Sequence, residues 1–154
     1  MAVSVEVFPY TTHERAAVLA LAPRLCAGVA EWRRGEGVAA AAREWVEDSV
    51  SSQDDADAVF VARVDGQVVG MVSVSEQRHW SGDLDAYVGE LVTEQSMEGQ
   101  GVGRALVARA ERWAGDRGLS RITLETGAAN SRALAFYERL GYRREEVRLT
   151  RRLT

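Results

Sequence analysis

The chain reads as a single α/β domain over residues 1–154, with the element order β-α-α-β-β-β-α-β-α-β and room for one more closing strand. Three observations predict it. Stretches of period-two alternation are interleaved with stretches whose apolar residues recur at helical spacing. Asp65-Gly66 stands between two apolar runs, a signal for a tight hairpin. A strand-like run over 86–93 leads into Gly99-Gln100-Gly101-Val102-Gly103, a glycine-rich turn that opens an amphipathic helix.

The elements follow in order. Val3-Ser4-Val5-Glu6-Val7 alternates and predicts the first strand. Thr11 or Thr12 caps a helix from about His13 to Gly28, which Pro23 is expected to kink or break. Gly28 to Gly37 is a connection carrying Trp32, Arg33 and Arg34, and a second helix runs over 38–50. A polar, acidic loop over 51–57 precedes the hairpin of Ala58–Val64 and Gln67–Ser75. A turn at Ser81-Gly82-Asp83 leads to the strand at 86–93. Val102, Ala105, Leu106, Ala110 and Trp113 mark the next helix, which ends near Gly118. Ile122 and Leu124 alternate in a strand over 120–126. Asn130 caps a short helix that ends at Gly141, and 142–153 is expected to supply one or two closing strands.

Composition narrows the function. At 154 residues the chain can bury one sizeable core. Its net charge is −4, which weighs against nucleic acid as the main partner, because phosphate neutralisation needs a basic face. There is no apolar run of membrane-spanning length, and no basic-then-apolar leader, so the expected location is cytoplasmic, with no membrane partner. Cys26 is the sole cysteine and falls among Leu21, Leu25 and Val29, which suits a small buried hydrophobe. With only His13 and His79 beside it, no metal site is expected.

The glycine turn carries the chemistry. Amides at a helix N-terminus lack intrahelical partners, and the helix dipole adds partial positive charge there. Glycines let a phosphate approach that backbone closely. Residues 99–104 are therefore expected to hold a phosphorylated ligand. A P-loop would need a lysine after its second glycine, and this chain contains no lysine at all. A dinucleotide fingerprint needs Gly-x-Gly-x-x-Gly at the first strand of a βαβ unit, which neither the spacing nor the position supplies.

Glu98-Gly99-Gln100-Gly101-Val102-Gly103 resembles the Arg/Gln-x-x-Gly-x-Gly/Ala loop of the GNAT N-acetyltransferases at both glycines. Downstream, Asn130-Ser131-Arg132-Ala133-Leu134-Ala135-Phe136-Tyr137-Glu138-Arg139-Leu140-Gly141-Tyr142 resembles the family's second block, Asn-x-x-Ala-x-x-x-Tyr-x-x-x-Gly-Phe/Tyr, at every named position. The two motifs stand in the right order and separation, and the likeness covers at least residues 58–147. It implies a mixed, mostly antiparallel central sheet flanked by helices, and acetyl transfer from acetyl-CoA, with no metal, to a primary amine.

Carried over residue by residue, the likeness implies several roles. The amides of Gly99, Gln100, Gly101, Val102, Gly103 and Arg104 hold the pyrophosphate. Leu91, Val92 and Thr93 offer strand backbone to the pantetheine arm, and Asn130 hydrogen-bonds that arm. Tyr137 places its hydroxyl near the sulfur, as the acid for a departing thiolate. An alkylamine of pKa about 10.4 must lose a proton, at a cost of about 4.6 kcal/mol at pH 7. Glu90 is the first candidate base and Glu125, on the neighbouring strand, the second, where it also adjoins the acceptor. Loop aromatics Trp32 and Trp80 are candidates for cation–π contact with a substrate ammonium. The likeness also implies a homodimer paired through the late strands, as is common in that family.

The chain departs from the family pattern at Glu98, where Arg or Gln is usual, and a carboxylate there is unfavourable beside a pyrophosphate unless it points away. Thr93 and Gln95 replace a common valine and proline. The leading expectation is an acetyltransferase acting on a small-molecule amine. A protein lysine or N-terminal acetyltransferase and a non-catalytic CoA-binding module are the alternatives.

Overall fold

One twisted sheet with an apolar layer on each face organises the molecule. The computed structural model describes residues 2–52 and 54–154; Gln53, within the expected acidic loop, lies outside them. The strands are β1 (Glu6–Pro9), β2 (Asp57–Val64), β3 (Gln67–Arg78), β4 (Leu84–Thr93) and β5 (Ile122–Leu124), and they lie side by side in that order. The first three pairings are antiparallel and β4 pairs parallel with β5. The helices are α1 (Arg15–Leu21), α2 (Val38–Ser51), α3 (Val102–Asp116) and α4 (Ser131–Arg139).

Successive strand residues point to opposite faces, and β2 sorts its side chains accordingly. Val59 and Val61 join Val18, Leu19, Val46 and Val50 under α1 and α2. Phe60 and Ala62 join Leu106, Ala110 and Ala114 under α3. At the hairpin, Asp65 and Gly66 both take positive φ, 49° and 78°, the type I′ geometry that matches strand twist.

The first helix breaks where Pro23 is expected to break it. Thr11 opens the turn, its N–H donating to Glu14 Oε2 at 2.7 Å, and α1 gives way at Ala22 to a 3-10 segment reaching Gly28. The strand over 120–126 shrinks to three residues, Ile122–Leu124. Residues 142–154 form no helix or strand, where the alternation predicts one or two closing strands. Their apolar members Val147, Leu149 and Leu153 remain exposed, so nothing within the described chain covers the face that would make a strand worth forming. Among the described residues no helix is long and apolar enough to cross a membrane.

At Gly70 α3 presses close on the sheet. A Cβ there would lie 2.9 Å from Leu106 Cδ1 and 3.0 Å from both Val102 Cγ1 and the Val92 carbonyl oxygen. Gly70→Val is therefore expected to cost about 1–3 kcal/mol by overpacking, read as a lower midpoint in urea; an unchanged midpoint would show that α3 shifts freely.

Candidate active site

Strand β4 carries one residue too many for its partner. Val72 of β3 faces Leu91 and Val74 faces Val88, so Ser73 alone stands opposite the pair Gly89-Glu90. Such a bulge reverses the facing of every residue beyond it. Ala86 and Val88 face the α3 layer, and so does Leu91, whereas Val92 faces the α1–α2 layer. Glu90 is thereby turned toward α2. It is 2% exposed, and Ser49 Oγ of α2 donates to its Oε1 at 2.7 Å. Ser73 Oγ donates to Oε2 and accepts from the Glu90 N–H at 2.9 Å.

Burial is the main influence on this carboxyl and raises its pKa above the ordinary 4.5; the Ser73 and Ser49 hydrogen bonds pull the other way without cancelling it. The sequence motifs single out neither serine. A signal was present: Ser49 stands three residues after buried Val46, and Ser73 sits inside the apolar run from Val69 to Val74. Polar residues on core-facing positions need partners, and here they serve each other.

Beyond Val88 the two parallel strands part, since β5 pairs only from Ile122 to Leu124. A cavity of about 270 Å³ opens there, lined by Glu90, Leu91, Glu125, Asn130 and Tyr137, with Arg24 and Trp45 at its edges. The free edge of β4 along this cavity can accept an extended ligand as an added strand. Val92 is buried in the core, and the Thr93 carbonyl accepts from Arg24 Nε at 3.3 Å. Tyr137 is packed edge-on against Phe136 at 5.1 Å and Tyr142 at 5.5 Å, and burial pushes its hydroxyl up to about 12, so it stays protonated at neutral pH. Asn130 Oδ1 accepts from the Ala133 N–H at 3.2 Å, capping α4 and leaving its amide hydrogens for another partner.

The glycine turn has the shape an anion needs. Gly99 and Gly101 take φ of 77° and 86°, a region other residues avoid. Ala105 is the first α3 amide to reach back, to the Gly101 carbonyl at 3.0 Å, so the amides of Val102, Gly103 and Arg104 precede the helical ladder. The Gln100 N–H is used within the turn, on the Met97 carbonyl at 3.2 Å. Gly103 also matters for packing. A Cβ there would come within 3.3 Å of Phe136 Cζ, so the bare backbone lets α4 settle against the start of α3. Glu98 pairs with both Arg24 and Arg132.

Trp32 and Trp80, 72% and 86% exposed, line neither this cavity nor its neighbour. Glu125 lines the first cavity at its exposed rim, 3.9 Å from Arg148. The tryptophan at the site is Trp45 of α2, which lines both cavities. The second, about 310 Å³, lies across Gly89 from the first and is lined by Ser49, Ser52, Asp57, Ser73 and Tyr87. Among the described residues no cluster of three or more His, Cys, Asp or Glu side chains is placed to hold a metal.

The raised pKa of Glu90 has a consequence for stability. The folded state holds this proton more tightly than the unfolded state, so stability falls as pH rises from 4.5 through the raised folded value. Glu90→Gln is expected to raise the melting temperature at pH 7–8, with the difference closing as pH drops toward 4.5; a variant less stable at pH 8 than at pH 4.5, relative to wild type, would contradict it.

Comparison with known proteins gives the family and the fold. The model of the "Acetyltransferase (GNAT) family" matches residues 26–142. No curated protein matches the chain. Solved structures with the same fold include aminoglycoside N-acetyltransferase AAC(6')-Iy in complex with CoA, at 18% identity and TM-score 0.76, over 99% of this chain and 97% of that one. Ribosomal-protein-alanine N-acetyltransferase from Brucella melitensis biovar Abortus 2308 matches at 18% identity and TM-score 0.69, over 97% and 99%. A transcriptional regulator from Bacillus halodurans C-125 matches at 23% identity and TM-score 0.72, over 97% and 100%. With its family model matched over residues 26–142, and both glycine turn and splayed strands in place, the chain belongs to the GNAT acetyltransferase family.

Proposed function

We propose that the protein is an N-acetyltransferase that moves the acetyl group of acetyl-CoA to a primary amine of a small molecule, by direct attack with both substrates bound. The observation that carries this is the pairing, in one cavity, of a buried carboxylate of raised pKa with a protonated tyrosine. The residues present fit the cosubstrate. The amides of Gly99 and of Val102 to Arg104 suit its pyrophosphate, the free edge of β4 suits its extended arm, and Asn130 has donors to spare.

The side chains divide the proton transfers between them. Glu90 accepts a proton from the acceptor's ammonium, directly or through water, which frees the amine lone pair to attack the thioester carbon, and its raised pKa makes it a better match for that proton than an exposed carboxylate. Tyr137 donates its proton toward the sulfur as the carbon–sulfur bond breaks, the new amide nitrogen sheds its second proton to solvent, and Tyr137 regains one from solvent. The second cavity suits the acceptor. Its lining offers serine hydroxyls, the Asp57 carboxylate and the Trp45 face, with no arginine among them, a surface for a small, hydroxylated cation. A cavity of about 310 Å³ favours this over the peptide that a protein acetyltransferase would accommodate. Trp45 and Asp57 replace Trp32 and Trp80 as the leading acceptor contacts, with Glu125 at the rim.

A homodimer accompanies this reading. Val147, Leu149 and Leu153 alternate along an exposed tail. Two tails paired antiparallel about a two-fold axis, with Val147 opposite the partner's Leu149, would set Glu145 against the partner's Arg151. Light scattering is expected to give twice the chain mass, reduced to one chain by Val147→Asp with Leu149→Asp; a monomeric wild-type protein would contradict it.

Thiol release from acetyl-CoA across a panel of aminoglycosides, polyamines, amino acids and short peptides tests the function. Release that depends on a small amine is expected, and Tyr137→Phe is expected to lower kcat by about 10²-fold with CoA affinity nearly unchanged. Full turnover by Tyr137→Phe would remove it as the acid, and a trapped acetyl-enzyme would contradict direct attack.

A further inference from the structure

Glu98 stands where a carboxylate is least expected, at the entrance of a turn shaped for an anion. Its two oxygens are both engaged: Oε1 with Arg24 in the first turn of the 3-10 segment after α1, and Oε2 with Arg132 in the first turn of α4. The three side chains therefore tie together three separate elements across the mouth of the glycine turn. Arg24 also donates from Nε to the Thr93 carbonyl at 3.3 Å, laying its guanidinium over the end of β4. Arg24 lines the cavity shared by Glu90 and Tyr137. The pair of guanidiniums lowers the Glu98 pKa from the ordinary 4.5, the Arg24 hydrogen bond first among the causes, so it is ionised at neutral pH.

The charges explain the arrangement. Two arginines facing each other beside unpaired amides repel unless an anion sits between them. A phosphate is such an anion, and Glu98 has the same charge sign and the same forked acceptor geometry for arginine. We propose that Glu98 is an internal stand-in for a cofactor phosphate: it ties Arg24 and Arg132 across the mouth of the turn, and an incoming phosphate displaces it and takes over both guanidiniums. This inference rests on the acetyl-CoA reading. It assigns Arg24 and Arg132 as phosphate ligands and Glu98 as their internal competitor.

The exchange has a sign that can be measured. With Glu98 ionised, the three side chains sum to +1; in Glu98→Gln they sum to +2, with no carboxylate to expel. Removing a competing charge at a partly exposed site is expected to tighten CoA binding about 3- to 10-fold at low salt, and less at high salt. Arg132→Gln is expected to weaken it by a similar factor. In the Arg132→Gln background the gain from Glu98→Gln is expected to shrink, because the two residues act as a pair.

The experiment is isothermal titration of CoA into wild type, Glu98→Gln, Arg132→Gln and the double variant, at low and high salt, with a thermal melt of each to verify folding. Tighter binding by Glu98→Gln, eroded by salt and by Arg132→Gln, supports the proposal. Equal or weaker binding by folded Glu98→Gln, with wild type still binding CoA, overturns the stand-in role alone. Failure of every folded form to bind CoA overturns the acetyl-CoA reading and this inference together.

Discussion

The site depends on a single extra residue in β4. Because Gly89 and Glu90 together face Ser73, the facing of the strand reverses at that point, and a carboxylate that a regular strand would send into the α3 layer turns toward α2 instead. There it meets two hydroxyls placed on different elements, Ser49 and Ser73. Gly89 is part of the same device, since a Cβ at that position would lie 2.8 Å from Ser73 Oγ and push it off the carboxylate. Burial raises the proton affinity of Glu90 while the hydroxyls keep the ionised form tolerable. A group poised in this way can take a proton and release it.

The parting of β4 and β5 does the rest. Parallel pairing stops at Val88 and Leu124, so a groove opens between strands that a longer β5 would have closed. Glu90 of β4, Asn130 at the cap of α4 and Tyr137 within it all line that groove. The two sequence motifs are also in physical contact. Gly103 of the first admits Phe136 of the second at close range, and Glu98 reaches Arg132. Their spacing along the chain is thus a consequence of α3, β5 and α4 folding back on one another.

Much of this was legible in the sequence. Period-two and helical spacing placed α2, β2, β3, β4 and α3 within a few residues, and Asp65-Gly66 marked the hairpin. The tail departs from its pattern because alternation records only what a segment could bury, and Val147, Leu149 and Leu153 have no covering surface in the described chain. Ser49 and Ser73 stand out as polar residues at core-facing positions, but their meeting with Glu90 was not legible: they reach it from 41 and 17 residues away, through a bulge that no local pattern announces. Trp32 and Trp80 stand out as loop aromatics, whereas cavity access goes to Trp45, whose neighbours Val46 and Ala42 are buried and whose own ring is 52% exposed. Glu98 looks like an obstacle to cofactor binding in the sequence, and only the fold brings its two arginines beside it.

In the proposed reaction, a buried carboxylate held by two serines takes the proton from the acceptor amine. The pH dependence of kcat/KM for amine-dependent acetyl transfer, measured on wild type, Ser73→Ala and Glu90→Gln, tests it most directly. Ser73 lowers the pKa of Glu90, so its loss raises that pKa further. The account predicts an acid limb set above 4.5 in wild type, displaced to higher pH in Ser73→Ala and absent from the much reduced activity of Glu90→Gln. A profile of unchanged shape and height in both variants would contradict it.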